Sequence, residues 1–88
     1  MKDDAEPFHF PCPYPLKAVG KNTDEFYAVV SAIVERHLAE TEEVKYFTRT
    51  SSGGTYLSVT ATFLARSRSQ LDRLYKELNR HELVLMTL

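Results

Sequence analysis

The histidines and the cysteine are the side chains of this sequence best suited to bind a metal ion or to form a nucleophile and base pair. His9, His37 and His81 lie far apart along the chain, and no two of them have the spacing of a zinc-binding motif. Cys12 is the single cysteine, so no disulfide forms within the chain, and no basic cluster beside it favours a reactive thiolate. The sequence therefore predicts no metal site, no cofactor, no catalytic residue and no enzymatic activity.

The segment Gly20-Lys21-Asn22-Thr23, just before a predicted helix, is a second place where chemistry is conceivable. Small acylphosphatases place a phosphate loop at this point of a similar chain order, with an arginine at the next helix start. In this chain Asp24-Glu25 occupies that helix start, and its two carboxylates would repel a phosphate. An acylphosphatase-like enzyme is therefore the weakest alternative.

The composition limits the classes of function. The chain has 88 residues, of which 43% are apolar and 26% charged, and this fits one globular domain with a thin core. A formal net charge of −1 gives the whole chain no attraction to nucleic acid or to an anionic membrane. No apolar run approaches the roughly 20 residues that span a bilayer, and the first residues are acidic and unlike a secretory signal. We expect a cytoplasmic protein.

Proline marks off the start of the chain from the rest. All four prolines, Pro7, Pro11, Pro13 and Pro15, fall within residues 1–15 and predict an extended stretch, because each lacks a backbone donor and restricts the preceding residue. The predicted division is an N-terminal arm over residues 1–12 and a single domain over 13–88. The first strand is predicted at Leu16–Gly20.

Hydrophobic periodicity predicts two helices and three further strands. Asn22 or Thr23 caps the first helix, whose apolar side chains recur at offsets of three and four, and Ser67 with Gln70 forms a capping box for the second. Alternating residues on both sides of a Ser-Ser-Gly-Gly turn predict a β-hairpin, and residues 82–88 predict a last strand. The order β-α-β-β-α-β predicts a ferredoxin-like α+β sandwich with an antiparallel sheet in the order 4-1-3-2 and both helices on one face.

One face of this sheet is predicted to stay uncovered and polar. Its candidate residues form a partner or dimer surface and are Lys17, Phe47, Arg49, Tyr56, Ser58 and Thr60. The alternative is single-stranded RNA bound to the same face, as in an RNA-recognition motif. Such a module stacks bases on aromatic side chains of its central strands, where this chain has mainly hydroxyl side chains, so nucleic acid is the less favoured partner.

Three segments together resemble the YbeD-like family of small bacterial proteins of uncharacterised function. The segments are residues 10–20, residues 51–59, and residues 74–78 with 83–88. The resemblance covers nearly the whole domain and rests on order, spacing and length together.

The resemblance implies a ferredoxin-like fold close to that of ACT regulatory domains, and a suggested role in regulating lipoate metabolism. ACT domains bind amino acids or similar small ligands at a dimer interface near the loop after the first strand. The resemblance therefore makes Gly20-Lys21-Asn22-Thr23 a candidate ligand loop, in which the glycine permits close approach of the backbone and the following helix N-terminus attracts a carboxylate. The expected function is a regulatory or ligand-binding domain of lipoate or amino-acid metabolism. Its expected partners are a second copy bound through the sheet, a protein or a small-molecule effector, and no membrane.

Overall fold

The computed structural model describes residues 9–88, and its elements follow the predicted order. They are β1 (Cys12–Lys21), α1 (Asp24–Arg36), β2 (Val44–Thr50), β3 (Tyr56–Ala65), α2 (Arg68–Arg80) and β4 (Met86–Thr87). The strands form one antiparallel sheet in the order β2-β3-β1-β4, which confirms the ferredoxin-like fold and the strand order. Neither helix of the described residues is long and apolar enough to cross a membrane. Residues 1–8, most of the predicted arm, lie outside the described residues.

The central strand β1 is longer than the sequence predicted. Its expected start at Leu16 was wrong by four residues, because pairing with β3 continues back to Cys12 opposite Ala65. Two prolines, Pro13 and Pro15, therefore lie inside a strand that pairs along its whole length.

The hydrogen-bond pattern of β1 explains why these prolines are tolerated. The Leu88 N–H donates to the Lys17 carbonyl at 2.8 Å, so the backbone of Lys17 points away from β3, toward the β4 side. Alternate residues of an antiparallel strand point the same way, so the nitrogens of Pro13 and Pro15 also face away from β3. Since β4 pairs only with Ala18 and Val19, no neighbouring strand needs a donor from either proline.

Period-two alternation sorts the sheet into a buried face and an open face. Even-numbered residues of β1 and odd-numbered residues of β3 point toward the helices, and the others point to the open face. The helices complete the core with the apolar stripes that the sequence predicted. The largest fully buried side chains are Phe26, Leu16, Leu74, Leu78, Val30, Val34 and Val59.

The last strand is shorter than predicted, with only Met86–Thr87 in place of residues 82–88. A turn occupies the start of the predicted strand: the Val84 N–H donates to the His81 carbonyl and the Leu83 N–H donates to His81 Nδ1, each at 3.1 Å. This turn brings Val84 into the core. Hydrophobicity indicated burial correctly but did not reveal the turn.

Two polar contacts join the helices. Gln70 is buried; its side-chain oxygen accepts from the Arg66 N–H at 2.7 Å, and its amide nitrogen donates to the His37 carbonyl at 3.0 Å. The Ser67 hydroxyl accepts from the Gln70 N–H at 3.1 Å, which confirms one half of the predicted capping box. The other half was wrong, because the Gln70 side chain accepts from Arg66, one residue before the cap. Glu77 of α2 contacts Arg36 and lies 2.8 Å from His37 Nε2. The end of α1 is therefore fixed to both the first turn and the C-terminal half of α2.

Gly20 lets α1 and the turn after α2 approach β1 closely. A Cβ atom at this position would lie 2.4 Å from Phe26 Cε1 and 2.6 Å from the Leu83 carbonyl oxygen. Both distances are shorter than van der Waals contact, so any side chain would displace a buried ring or a backbone segment.

Gly20→Ala is expected to lower the free energy of unfolding by about 1–3 kcal/mol, because an added methyl group overpacks this contact. Gly53→Ala is the matched control, since the nearest atom to its Cβ would be 3.9 Å away, and it should stay within about 0.5 kcal/mol of wild type. Urea unfolding measures both. Equal stability of the two variants would contradict the close approach.

Glu77→Gln is expected to change the pH dependence of stability. The hydrogen bond with His37, followed by the contact with Arg36, holds the pKa of Glu77 below its usual value of 4.5. A depressed folded-state pKa stabilises the fold above the unfolded-state value, and this stabilisation is lost as pH falls through the folded-state pKa. The exposed ion pair contributes about 0.5 kcal/mol at neutral pH. In urea titrations between pH 7 and 3, the variant should lose less stability than wild type, and equal losses in the two proteins would contradict this role of Glu77.

Candidate functional site: the open face of the sheet

The candidate ligand loop is occupied by contacts within the chain. The Asn22 N–H donates to the Thr55 carbonyl at 2.9 Å, and its side-chain amide donates to the Gly54 carbonyl at 3.1 Å. The Thr23 N–H donates to the Lys21 carbonyl at 2.8 Å. The backbone donors of Asn22 and Thr23, which would bind a phosphate or carboxylate, therefore already have acceptors.

The start of α1 is satisfied in the same way. Thr23 is the N-cap, and its hydroxyl oxygen accepts from the Phe26 N–H at 3.0 Å. Asp24 and Glu25 supply negative charge to the first turn, where an anionic ligand would otherwise gain from the helix dipole. The ring of Phe26 fills the space beside Gly20. Each loop residue thus has a structural role, including the backbone of Lys21, which accepts from Thr23, and ligand binding by the loop stays a prediction.

Thr23→Ala should lower the free energy of unfolding by about 1 kcal/mol through loss of the cap, whereas Thr23→Ser should stay close to wild type because it keeps the hydroxyl. Thermal unfolding measures the difference. If the alanine variant were as stable as the serine variant, Thr23 would not be acting as the cap.

The six sequence-predicted surface residues share the open face. Lys17 pairs with Thr60 in the register, and Thr60 pairs with Phe47, so these three lie in one row across the sheet. Ser58 and Arg49 lie in the next row, opposite Val19 of β1. Tyr56 lies at the start of β3, opposite Lys21. The structure thus brings together the residues that the sequence predicted for this face.

The charges of the strands have one sign. Within the described chain, no strand residue is Asp or Glu, and the four charged strand residues are Lys17, Lys21, Lys45 and Arg49. Alternation places all four on the open face. None of them forms an ion pair with an acidic side chain of residues 9–88, because the ion pairs there join helices and connecting segments. Within the described part of the chain, the open face is therefore a cationic surface whose charges have no acidic partner.

Sequence reasoning did not select Lys45, and it assigned Lys21 to a loop. The alternation that selected Phe47 and Arg49 also applies to Lys45, which lies on the same side of β2. For Lys21 the signal was weaker, because the end of β1 depended on pairing with Tyr56, which only the fold reveals.

Apolar side chains border the cations. Phe47 is 65% exposed, and Met86 and Leu88, beside Val19 and Lys17, are 50% and 63% exposed. A shallow depression of about 210 Å³ lies at the hairpin end of the face and is lined by Val19, Arg49, Thr50, Ser51, Tyr56 and Ser58. Exposed aromatic, methionine and arginine side chains are the types enriched at protein interfaces.

The strongly perturbed tyrosines belong to the other side of the sheet. Burial, followed by the hydrogen bond to Glu35, raises the pKa of Tyr46, whose hydroxyl donates to that carboxylate at 2.7 Å. Burial and the hydroxyl of Tyr14 raise the pKa of Tyr75, and the two oxygens are 2.9 Å apart. These bonds hold strands to helices and do not contribute to the open face.

Comparison with known proteins places the chain in a family. A family model described as "Protein of unknown function (DUF493)" matches residues 5–88. The chain belongs to the DUF493 family. Similar proteins include a UPF0250 protein of Chromobacterium violaceum, 41% identical over 89 residues with 100% of both chains covered. A UPF0250 protein of Neisseria gonorrhoeae is 37% identical over 88 residues, covering 100% of this chain and 97% of that one. The YbeD-like resemblance is confirmed.

Two solved structures share the fold of this DUF493 chain. The solution structure of protein HP0495 from H. pylori has a TM-score of 0.77 at 15% identity and covers 100% of this chain and 94% of its own. The ACT domain from GTP pyrophosphokinase of Chlorobium tepidum has a TM-score of 0.66 at 8% identity, with coverage of 86% and 94%. At these identities the likeness shows the fold alone, and that fold is ACT-like.

Proposed function

We propose that this DUF493 chain is a cytoplasmic, non-enzymatic regulatory domain that acts by binding a partner through its open sheet face. The observation that carries the proposal is the set of four strand cations on that face, none of them paired with an acidic side chain of residues 9–88. Exposed apolar groups such as Phe47 and Met86 lie among them. A partner with acidic and apolar groups would pair these charges and cover the apolar area.

The contacts of the groups that could do chemistry support a non-enzymatic role. His37 contacts Glu77, and His81 accepts a hydrogen bond from the Leu83 backbone. The loop that would bind a phosphate in an acylphosphatase has its Asn22 and Thr23 donors bound to carbonyl groups of the chain. These side chains and backbone groups have structural partners.

A homodimer, in which the open faces of two copies stack on each other, is a less favoured form of the proposed binding. Stacking two identical open faces would bring the cations of one copy, including Lys17 and Arg49, against those of the other. Like charges at an interface reduce affinity, and they disfavour a homodimer through the sheet. An acidic partner has the complementary charge.

Single-stranded RNA is the alternative partner of opposite charge. Phe47 and Tyr56 are exposed, and Arg49 is unpaired among the described residues. Both observations favour RNA binding. The middle of the central strands β1 and β3 presents Lys17, Ser58 and similar side chains to the open face, and no aromatic side chain on which bases would stack. A gel shift with short RNA at low salt that disappears in the Arg49→Glu variant would show that the partner is RNA and not a protein.

The metabolic setting that we propose is lipoate or amino-acid metabolism, and its support is the resemblance to the YbeD-like family. In a strain that lacks the gene, the level of lipoylated enzymes is expected to change, and the wild-type gene should restore it. Immunoblotting for lipoyl groups measures this. An unchanged level in the deletion strain would remove the lipoate assignment.

Complementation also tests the open face. Lys17→Glu combined with Arg49→Glu should fail to restore the wild-type level, because two cations of the surface change sign. Arg73→Glu combined with Lys76→Glu is the matched control on the exposed side of α2 and should restore it. Urea unfolding should place both double variants within about 1 kcal/mol of wild type. Full restoration by a stable open-face variant would contradict the proposed surface.

A further inference from the structure

The outer edge of β2 is an unpaired strand edge. Lys17 directs its backbone toward the β4 side, so its partner Thr60 directs its own backbone toward β2 and bonds with Phe47. The register of β2 has no bulge, so alternate residues repeat this pattern. The outward-facing N–H and C=O groups are therefore those of Val44, Tyr46, Thr48 and Thr50. Within residues 9–88 these groups have no backbone partner.

The opposite edge of the sheet is closed to strand addition. β4 has only two residues, and beyond it the exposed side of β1 carries Pro13 and Pro15, which have no N–H to donate. Proline on an edge strand is a usual protection against pairing with other chains. Proline and glycine are absent from β2, which keeps seven residues available.

We infer that an extended segment of a partner protein adds to the outer edge of β2 as a fifth strand, with the pattern acidic–x–apolar–x–acidic. This inference rests on the proposed function, because it names the chemistry of the partner at the same surface. Backbone bonds to the outward groups would supply affinity, and alternate side chains would supply specificity, as in other cases of strand addition.

The pattern follows from the side chains of β2 on the open face. Lys45, Phe47 and Arg49 are spaced by two residues, so their order is cationic, aromatic, cationic. On an added strand, side chains opposite these positions would have Cβ atoms about 5 Å away. Carboxylates there would pair with Lys45 and Arg49, and an apolar side chain would cover the exposed ring of Phe47.

The same charges disfavour a second copy at this edge. In an antiparallel pair of two β2 strands centred on Phe47, Lys45 of each copy would face Arg49 of the other. Both cross-strand pairs would be cation against cation. In this register an acidic segment from another protein has the charge complementarity that a second copy does not have.

Two acidic residues, Glu42 and Glu43, border this edge, and Glu42 contacts Arg66. Glu43 immediately precedes β2 and lines, with Lys45 and Pro13, a depression of about 420 Å³ at that end of the face. Its charge opposes that of Lys45, so it weakens attraction for a carboxylate at this position. Glu43→Lys should therefore strengthen binding of the proposed segment.

Fluorescence anisotropy with labelled peptides tests the inference. The probe is a nine-residue peptide with Glu-Thr-Val-Thr-Glu at its centre, and the control peptide has Lys in place of both Glu residues. We expect saturable binding of the acidic probe below about 1 mM and at least about tenfold weaker binding of the control. Lys45→Glu combined with Arg49→Glu should reverse this preference, and Glu43→Lys should tighten the acidic probe about threefold.

Backbone methylation tests strand addition itself. In an added strand, alternate amides of the peptide face β2. N-methylation of the Val amide in one probe and of a neighbouring Thr amide in another should weaken binding at least about tenfold in only one of the two. Equal effects of the two methylations would overturn strand addition.

Absence of binding by the acidic probe would overturn the inference. A dimer in sedimentation equilibrium that is lost in Thr48→Pro would assign the edge to a second copy and would also overturn it. The complementation experiment is independent of these results: if Lys17→Glu with Arg49→Glu still fails there, the open face is required and only the strand-addition model is wrong. If that variant complements fully, the proposed function fails as well.

Discussion

The pairing of β1 with β3, under the requirement that one side of the pair be buried, is the constraint on which the rest of the structure depends. Ten consecutive residue pairs fix the register of these central strands. A shift of β1 by one residue would expose Leu16 and Ala18 and bury Lys17, so the hydrophobic effect and the cost of burying a charge select the same register. Both helices then pack on the apolar side, and every other strand side chain lies on the opposite side.

This constraint also separates the charges of the molecule. The formal net charge is −1. The charged residues of the sheet are nevertheless all basic, and the acidic residues of the described chain lie in the helices and connecting segments. Neutrality over the whole chain was a reason to doubt a polyanionic partner. The local charge of the open face is the relevant quantity, since salt at moderate concentration screens the interactions between exposed charges that are more than about 10 Å apart.

The sequence predicted those features that depend on periodicity and missed those that depend on neighbours. The stripes of Val30 and Leu74 and the alternation of β3 were sufficient for the order of elements and for the open face. The extension of β1 through Pro13 required knowing that no strand pairs on that side. The packing of Gly20 against Phe26 was missed for the same reason, because the two residues come into contact only in the tertiary structure. In the candidate site, alternation was a sufficient signal for Lys45, whereas the role of Asn22 as a link to the hairpin was visible only from its contacts with Thr55 and Gly54.

The unequal edges of the sheet also limit how copies of this chain can aggregate. A fibre built by edge-to-edge addition needs a receptive strand on both sides of each subunit, so that every added copy presents a new edge to the next. This subunit has a receptive side at β2, whereas the other side combines a two-residue strand with prolines that lack a donor. Any sheet-mediated polymerisation of folded copies would therefore stop at two subunits, whatever the protein concentration.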